Sequence, residues 1–448
     1  MKFGRPAGDS QRTVVLHGGG AFGERVRLSV YDLMNGTFAT PRVFFYRQTL
    51  DTDAVMDSLR RTLAHYPLLT GRLERDADGG LSVLCNDAGA AFTVVHSDRA
   101  MPDYGPDHSA KGDLRRYISW VNAFRVVGHD TPLLSVKLTH MSGGGSVLGV
   151  SISHSVVDGG GYLDFLQHWS RTHAGQDIPA PPYDRALLDG LGDDVRPEPD
   201  DPQYSVVTGR QKFGFIWRVN ARSRKVRTVT LRFSAAEVLA LREAARVDED
   251  CHRPPVSSGD ALSAHLWRIL GALRDREPGA EERLGIVVGL RTALKSRLPE
   301  GYSGNAVSNT TAVVSARELR EEPLSHTVSA VRAALDRVTF ERVQREAAFL
   351  EAQRSAGSSG RVLSRMSLDA FDGTVALNNV SRLPVYEVEF GAGWPFWFEY
   401  PASPIPWTVL ITPTPDDDHS RDVHLSVPTE AADALRTPQW TSRLYSSV

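Results

Sequence analysis

The chain has 448 residues, more than one hydrophobic core usually holds, so two domains are expected. Hydrophobic residues make up 41% and charged residues 23%, the balance of an ordinary globular protein rather than a disordered or membrane-spanning one. A net charge of −3 without a basic block argues against nucleic acid as a partner, and two cysteines, Cys85 and Cys251, are too few for a disulfide framework.

Met1 to Thr13 holds no apolar stretch, so no signal peptide is expected. No apolar run approaches the ~18 residues of a membrane helix. The expectation is a cytoplasmic protein, monomeric and without a membrane partner. Gly18-Gly19-Gly20-Ala21-Phe22-Gly23 fits a dinucleotide-binding pattern, but the residues after it alternate like a strand and open no helix. It reads as a loop.

Val43 to Tyr46 reads as a strand. Asp51 or Thr52 then caps a helix whose face is Val55, Leu59 and Leu63. Asp76 to Gly80 is a hairpin turn between strands at 71–73 and 81–84. Leu133–His140 and Val147–Ser153 are two strands joined by a glycine-rich turn. The second runs straight into His154-Ser155-Val156-Val157-Asp158-Gly159. After it, Tyr162, Phe165, Leu166 and Trp169 are spaced as one apolar helix face. A histidine thus leaves a strand end, and an aspartate four residues on meets a helix start. Asp158 can cap that helix. Gly159 to Gly161 allow another backbone or a ligand to come close. A histidine so placed can take a proton from a group in a cleft.

From 175 to 224 the chain is rich in Pro, Gly and Asp, which reads as a long crossover linker. Beyond it come a strand at 226–233, a capping box at Ser234–Glu237, and a buried helix marked by Leu262, Leu266, Ile269 and Leu270. A strand at 284–290 ends at Arg291, and a long, broken helix covers 325–351. Strands follow at 385–390, 407–411 and 423–427, the last two joined by the acidic turn Asp416 to Asp418. Strands and helices alternate in both halves, which argues an α/β or mixed α+β protein.

Several segments resemble the BAHD acyltransferases when taken together and in order. They are LSVYDL (28–33), ATPRVFFYR (39–47), YPLLTGRLERDADG (66–79), PLLSVKLTH (132–140), the His154 motif, PPYDRALL (181–188), LSAHLWR (262–268), GLRTALKSRLPEGYSGNAV (289–307) and RLPVYEVEFGAGWP (382–395). The resemblance implies two chloramphenicol acetyltransferase-like domains, each a mixed sheet with helices, joined by the crossover linker. They would span 1–174 and 225–448, with roughly 378–400 contributed to the first.

The resemblance further implies transfer of an acyl group from acyl-CoA, as co-substrate, to a hydroxyl of a small-molecule acceptor. No bound cofactor and no metal are implied. His154 would be the general base. Asp158 would pair with Arg291 and hold the loop, supported by Gly159. Tyr302, Gly304 and Asn305 match a family segment in which Ser303 replaces Phe, and they read as a structural turn. Glu389-Phe390-Gly391-Ala392-Gly393 matches the C-terminal signature with Glu for Asp and Ala for Trp, near the donor channel. Asn378 or Asn379 could supply an amide donor to an oxyanion, or be loop residues. Arg42 and Phe44 fall on a strand that lines the acceptor pocket in relatives, where Arg42 could bind a carboxylate or phosphate of the acceptor, although it reads better as a solvent-facing residue of an edge strand. Two alternatives stay open: a carrier-protein thioester as donor, with an amine or hydroxyl acceptor, and an inactive relative that only binds.

Overall fold

The computed structural model describes residues 10–446 apart from 21–22, 36–38, 104–113, 123–124, 247–254, 372, 402 and 417. Most of the stretch before Thr13, Cys251, the middle of the glycine-rich stretch and Asp417 of the acidic turn therefore lie outside the described residues.

Two six-stranded mixed sheets carry the chain. In the first, the strands run Ser10–Leu16, Ala90–Ala100, Leu134–Ser142, Ser146–Ser153, Ala39–Tyr46 and Trp397–Glu399 from edge to edge. Only the pair Ala90–Ala100 and Leu134–Ser142 is parallel. In the second, the order is Val226–Phe233, Arg421–Pro428, Thr408–Pro413, Thr374–Asn379, Glu281–Gly289 and Val307–Ser315. There Thr374–Asn379 lies parallel to both neighbours.

Each sheet has its own core. Helices Thr52–Leu63 and Gly159–His173 bury Leu59, Leu63, Phe165, Leu166 and Trp169 against the first. Helices Ser258–Arg274 and Leu324–Asp336 bury Leu262, Leu266, Trp267 and Val331 against the second. Their starts are fixed locally: Asp51 accepts from Asp53 N and Ala54 N, and Ser257 and Asp260 form a capping box.

The chain leaves the second sheet after Asn379 and adds Trp397–Glu399 to the first, against Val43 to Phe45. It returns at Thr408. Asn378 and Asn379 stay in the second sheet, opposite Leu410 and Ile411.

Four readings of the sequence need correction. The stretch 175–224 is not all linker, because Gly209–Ser223 is a 15-residue helix with a Thr208–Gln211 capping box. Its weak apolar face hid it, since Phe213 and Trp217 are exposed. The alternation after Glu24 stops at Arg27, and Val30–Asn35 is helical. Ser29 and Asp32 cap it by reciprocal bonds. Residues 385–390 form a looped segment, not a strand. Val385, Val388 and Phe390 are spaced as anchors into the first core, and Pro384 opens the segment. Finally, Arg42 is not on an edge strand: Ala39–Tyr46 has a neighbour on each side, and Arg42 is buried.

Candidate active site

Ser146–Ser153 is buried along its whole length. It delivers His154 to its end in a fixed position. Asn305, from a distant loop, then meets the imidazole.

Asn305 Oδ1 lies 2.9 Å from His154 Nδ1. Asn305 Nδ2 donates to Asp32 Oδ1 at 2.7 Å and to the His154 carbonyl at 2.7 Å. Both of those partners accept only. The amide orientation is therefore set: nitrogen toward Asp32, oxygen toward the ring. An oxygen there requires a proton on Nδ1. Nε2 then carries the lone pair.

Asp32 is held in turn. Its Oδ2 accepts from Ser29 N and Ser29 Oγ and lies 3.1 Å from Arg185 Nε. Arg185 is buried and also donates to the Val156 carbonyl at 2.7 Å. The line His154, Asn305, Asp32, Arg185 draws on four separate stretches of chain.

Asp158 plays a different part. It caps Gly159–His173 by accepting from Gly161 N at 2.9 Å. Arg291 meets it through two nitrogens at 2.6 and 3.0 Å. Asp158 Oδ2 accepts from Ala306 N at 3.0 Å, while Arg291 Nη2 donates to the Tyr302 and Gly304 carbonyls. The pair therefore clamps both ends of the loop that presents Asn305. A Cβ at Gly161 would sit 2.7 Å from the Ser303 carbonyl, so this loop packs where only glycine allows it. Gly159 has no such neighbour.

The electrostatics follow from these contacts. Burial pushes the His154 pKa below its ordinary value, against the smaller opposing effects of the Asp158 charge and the Asn305 bond. The residue as a whole is half-buried, and the ring stays neutral to lower pH than a free histidine. Burial alone would raise the Asp158 carboxyl, but the Arg291 charge and bond, with the Ala306 and Gly161 N–H groups, bring it below the ordinary range. A neutral imidazole with a free Nε2, beside a fixed carboxylate that does not bond the ring, is equipped to accept one proton.

Comparison with known proteins agrees with this arrangement. The model of the Transferase family matches residues 18–439. The chain belongs to that family, the BAHD acyltransferases. A shikimate O-hydroxycinnamoyltransferase of Nicotiana tabacum is 28% identical over 418 residues, covering 91% of this chain and 93% of the relative. A hydroxycinnamoyl-CoA:5-hydroxyanthranilate N-hydroxycinnamoyltransferase of Avena sativa is 26% identical over 435 residues, covering 92% and 94%. Among solved structures, F. graminearum TRI101 complexed with ethyl coenzyme A superposes with a TM-score of 0.74 at 18% identity, covering 94% of this chain and 99% of that one. Vinorine synthase gives 0.70 at 18% identity, covering 98% and 100%. The two-domain, chloramphenicol acetyltransferase-like fold is thus shared.

Within this BAHD acyltransferase, the remaining sequence candidates separate. Tyr302, Gly304 and Asn305 are more than a structural turn, since Asn305 bonds the His154 ring. Glu389 to Gly393 lies away from the loop. Glu389 N and O bond Ser170 Oγ, and Phe390 packs on Trp169, Tyr46 and His173. Ser170 is eleven residues along the helix from Gly159, about 16 Å at 1.5 Å per residue. Gly391 and Gly393 take left-handed conformations, with φ of 76° and 74°, that shape this loop. Ala392, where the family signature has Trp, belongs to this packed loop at the far end of the helix.

Asn379 lines a cavity of about 570 Å³ together with Ser257 to Asp260, Arg242, Arg382 and Arg421, and His154 is not among its walls. Asn379 Oδ1 accepts from Ser381 N. Asn378 turns to the other face of its strand. Among the described residues, neither Asn378 nor Asn379 has a hydrogen bond to His154. Phe44 is fully buried against Phe398 and presents no surface to an acceptor. Arg42 is buried between Tyr162 and Tyr400.

The sequence pattern alone assigns no role to Asp32 or Arg185. Their segments, LSVYDL and PPYDRALL, carry the available signal, for a charged residue inside an apolar stretch marks a buried partner. Among the described residues, no group of acidic, His or Cys side chains is arranged to hold a metal ion, and no helix is long and apolar enough to cross a membrane.

Proposed function

We propose that this BAHD acyltransferase moves an acyl group from acyl-CoA to a hydroxyl of a specialised metabolite, acting as a monomer in the cytoplasm. His154 Nε2 takes the hydroxyl proton as the oxygen attacks the thioester carbon. The C–O bond forms and the carbonyl electrons move to oxygen. When the tetrahedral intermediate collapses, the C–S bond breaks and the imidazolium returns its proton to sulfur. The products are an ester, CoA thiol and neutral His154. No acyl-enzyme forms. The observation that supports this most is the Nδ1 proton set by Asn305, because it leaves Nε2 as the accepting atom.

The donor reading draws on the 570 Å³ cavity, where Arg242, Arg382 and Arg421 stand near the N-terminus of Ser258–Arg274 with one acidic residue, Asp260. Cations and a helix N-terminus suit phosphates. Relatives named for hydroxycinnamoyl transfer make hydroxycinnamoyl-CoA the first donor to try. Amide formation is a second reading, because relatives in Avena sativa and Hordeum vulgare are named for amine acceptors.

The test is CoA release from hydroxycinnamoyl-CoA with a panel of alcohols and amines. Acyl-CoA and acyl-pantetheine should reach similar maximal rates, because lost nucleotide contacts act equally on ground and transition states. His154→Ala should lose roughly 10²–10⁴ in turnover while staying folded. Turnover that survives this substitution removes His154 as the base. Activity only with a carrier-bound acyl group replaces free CoA as donor.

A further inference from the structure

Arg42 lies in Ala39–Tyr46, opposite Val150 of the strand that ends in His154. Only 4% of it is exposed. Its guanidinium is stacked, with Cζ 3.8 Å from the Tyr162 ring centre and 4.9 Å from that of Tyr400. Nε donates to Tyr400 Oη at 3.0 Å. Nη1 is buried and has no hydrogen-bond partner. Among the described residues, no carboxylate forms an ion pair with it.

A cation this enclosed is strongly disfavoured without an anion. The two aromatic faces offset part of that cost. Their hydroxyls engage part of the guanidinium, Tyr400 through Nε, but Nη1 is left without a partner. The guanidinium lies by the turn that follows His154: Nη2 is one of two atoms that a Cβ on Gly159 would meet at 3.8 Å, and the Arg42 charge is felt at His154. The chemistry of the missing partner can be narrowed. A planar fork held between two rings matches a planar, bidentate, singly charged acceptor.

We infer that Arg42 is a carboxylate-recognising subsite, and that a substrate reacting at His154 carries the carboxylate which pairs with its free edge. This rests on the reading of His154 as the reacting centre. The carboxylate can arrive on the acceptor, as a hydroxy acid, or on the acyl group, as the far end of a dicarboxylic thioester.

Two matched pairs of probes distinguish these sources, with the full chain and its Arg42→Gln variant. One pair is 3-hydroxycyclohexane-1-carboxylate against its methyl ester, as acceptors. The other is succinyl-CoA against butyryl-CoA, as donors. In one pair the wild type should favour the acid, and Arg42→Gln should lose roughly 30-fold or more in kcat/KM for the acid, as loss of a buried charge partner does. The neutral analogue should change little. The pair that responds identifies the source. Arg42→Met keeps bulk between the two tyrosines and replaces Arg42→Gln if that variant does not fold.

Binding is read separately, by melting temperature against the concentration of each acid and its neutral analogue. A rise with one acid in the wild type, absent in the variant, supports the subsite even if nothing is turned over, in which case acyl transfer is the reading that fails. Equal use of acid and neutral analogue in both pairs, or melting shifts that do not depend on Arg42, overturns the subsite and leaves the role of His154 standing.

Discussion

Asn305 presents its side-chain oxygen to His154 Nδ1 at 2.9 Å, across 151 residues of sequence. Its amide nitrogen is turned away by Asp32, so the contact dictates which imidazole nitrogen is free. Here a neutral amide fixes the imidazole in the tautomer that the proposed mechanism requires, and the nearby Asp158 carboxylate is fully occupied elsewhere.

Asn305→Ala should therefore lower kcat by roughly tenfold to a hundredfold, since the orienting partner of a general base is lost. Asn305→Asp makes a sharper test. A carboxylate beside Nδ1 favours the imidazolium and raises the His154 pKa. The proposed mechanism needs the neutral ring, which burial preserves to lower pH. The acid limb of kcat/KM against pH should move upward in Asn305→Asp. An unmoved limb, or full activity in Asn305→Ala, would mean that Asn305 does not govern the base.

Asp158 and Arg291 should behave as one unit. Asp158 is fully buried, whereas about a third of the Arg291 side chain is exposed, at 34%. Arg291→Ala strands a buried carboxylate, which costs about 3–5 kcal/mol. Asp158→Ala frees an arginine that can turn to water, but it removes the helix cap and the acceptor for Ala306 N. Both variants should melt earlier and lose activity, because the Asn305 loop is released. The double variant should cost less than the two single costs combined. A strictly additive cycle would show that the clamp is not energetically coupled.

These contacts explain what could be read from sequence. The strand into His154 and the helix after Asp158 are written in local spacing, an apolar run followed by Tyr162, Phe165, Leu166 and Trp169. Capping boxes are equally local, as at Ser234–Glu237. The grip on His154 is not local. Asn305 reaches Asp32 across 273 residues, and Gly-Asn looks like any turn until that partner is in place. Arg42 looks like an edge residue until Trp397–Glu399 arrives from the far end of the chain and Tyr400 covers it. Residues 385–390 look like a strand because their apolar anchors, Val385, Val388 and Phe390, recur every two or three residues along a loop, and spacing alone does not separate the two.

That same crossing strand carries an unusual acid. Glu399 is 2% exposed, and its Oε1 accepts from Trp397 Nε1 at 2.9 Å. Burial pushes its pKa up to about 8; the Trp397 bond opposes this and the Asp422 charge adds to it. In the unfolded chain the same carboxyl ionises near pH ~4.3. The folded state thus holds the proton over a range where the unfolded state has released it. Its contribution to stability is full below the unfolded pKa and is lost as pH climbs through about 8. Glu399→Gln removes this titration and keeps an oxygen that can accept from Trp397. The variant should melt close to wild type at about pH 5 and later than wild type at about pH 9, by an amount on the order of a few kcal/mol. Melting curves of both proteins across that range decide it. Parallel curves would mean that Glu399 is already ionised in the folded protein at neutral pH.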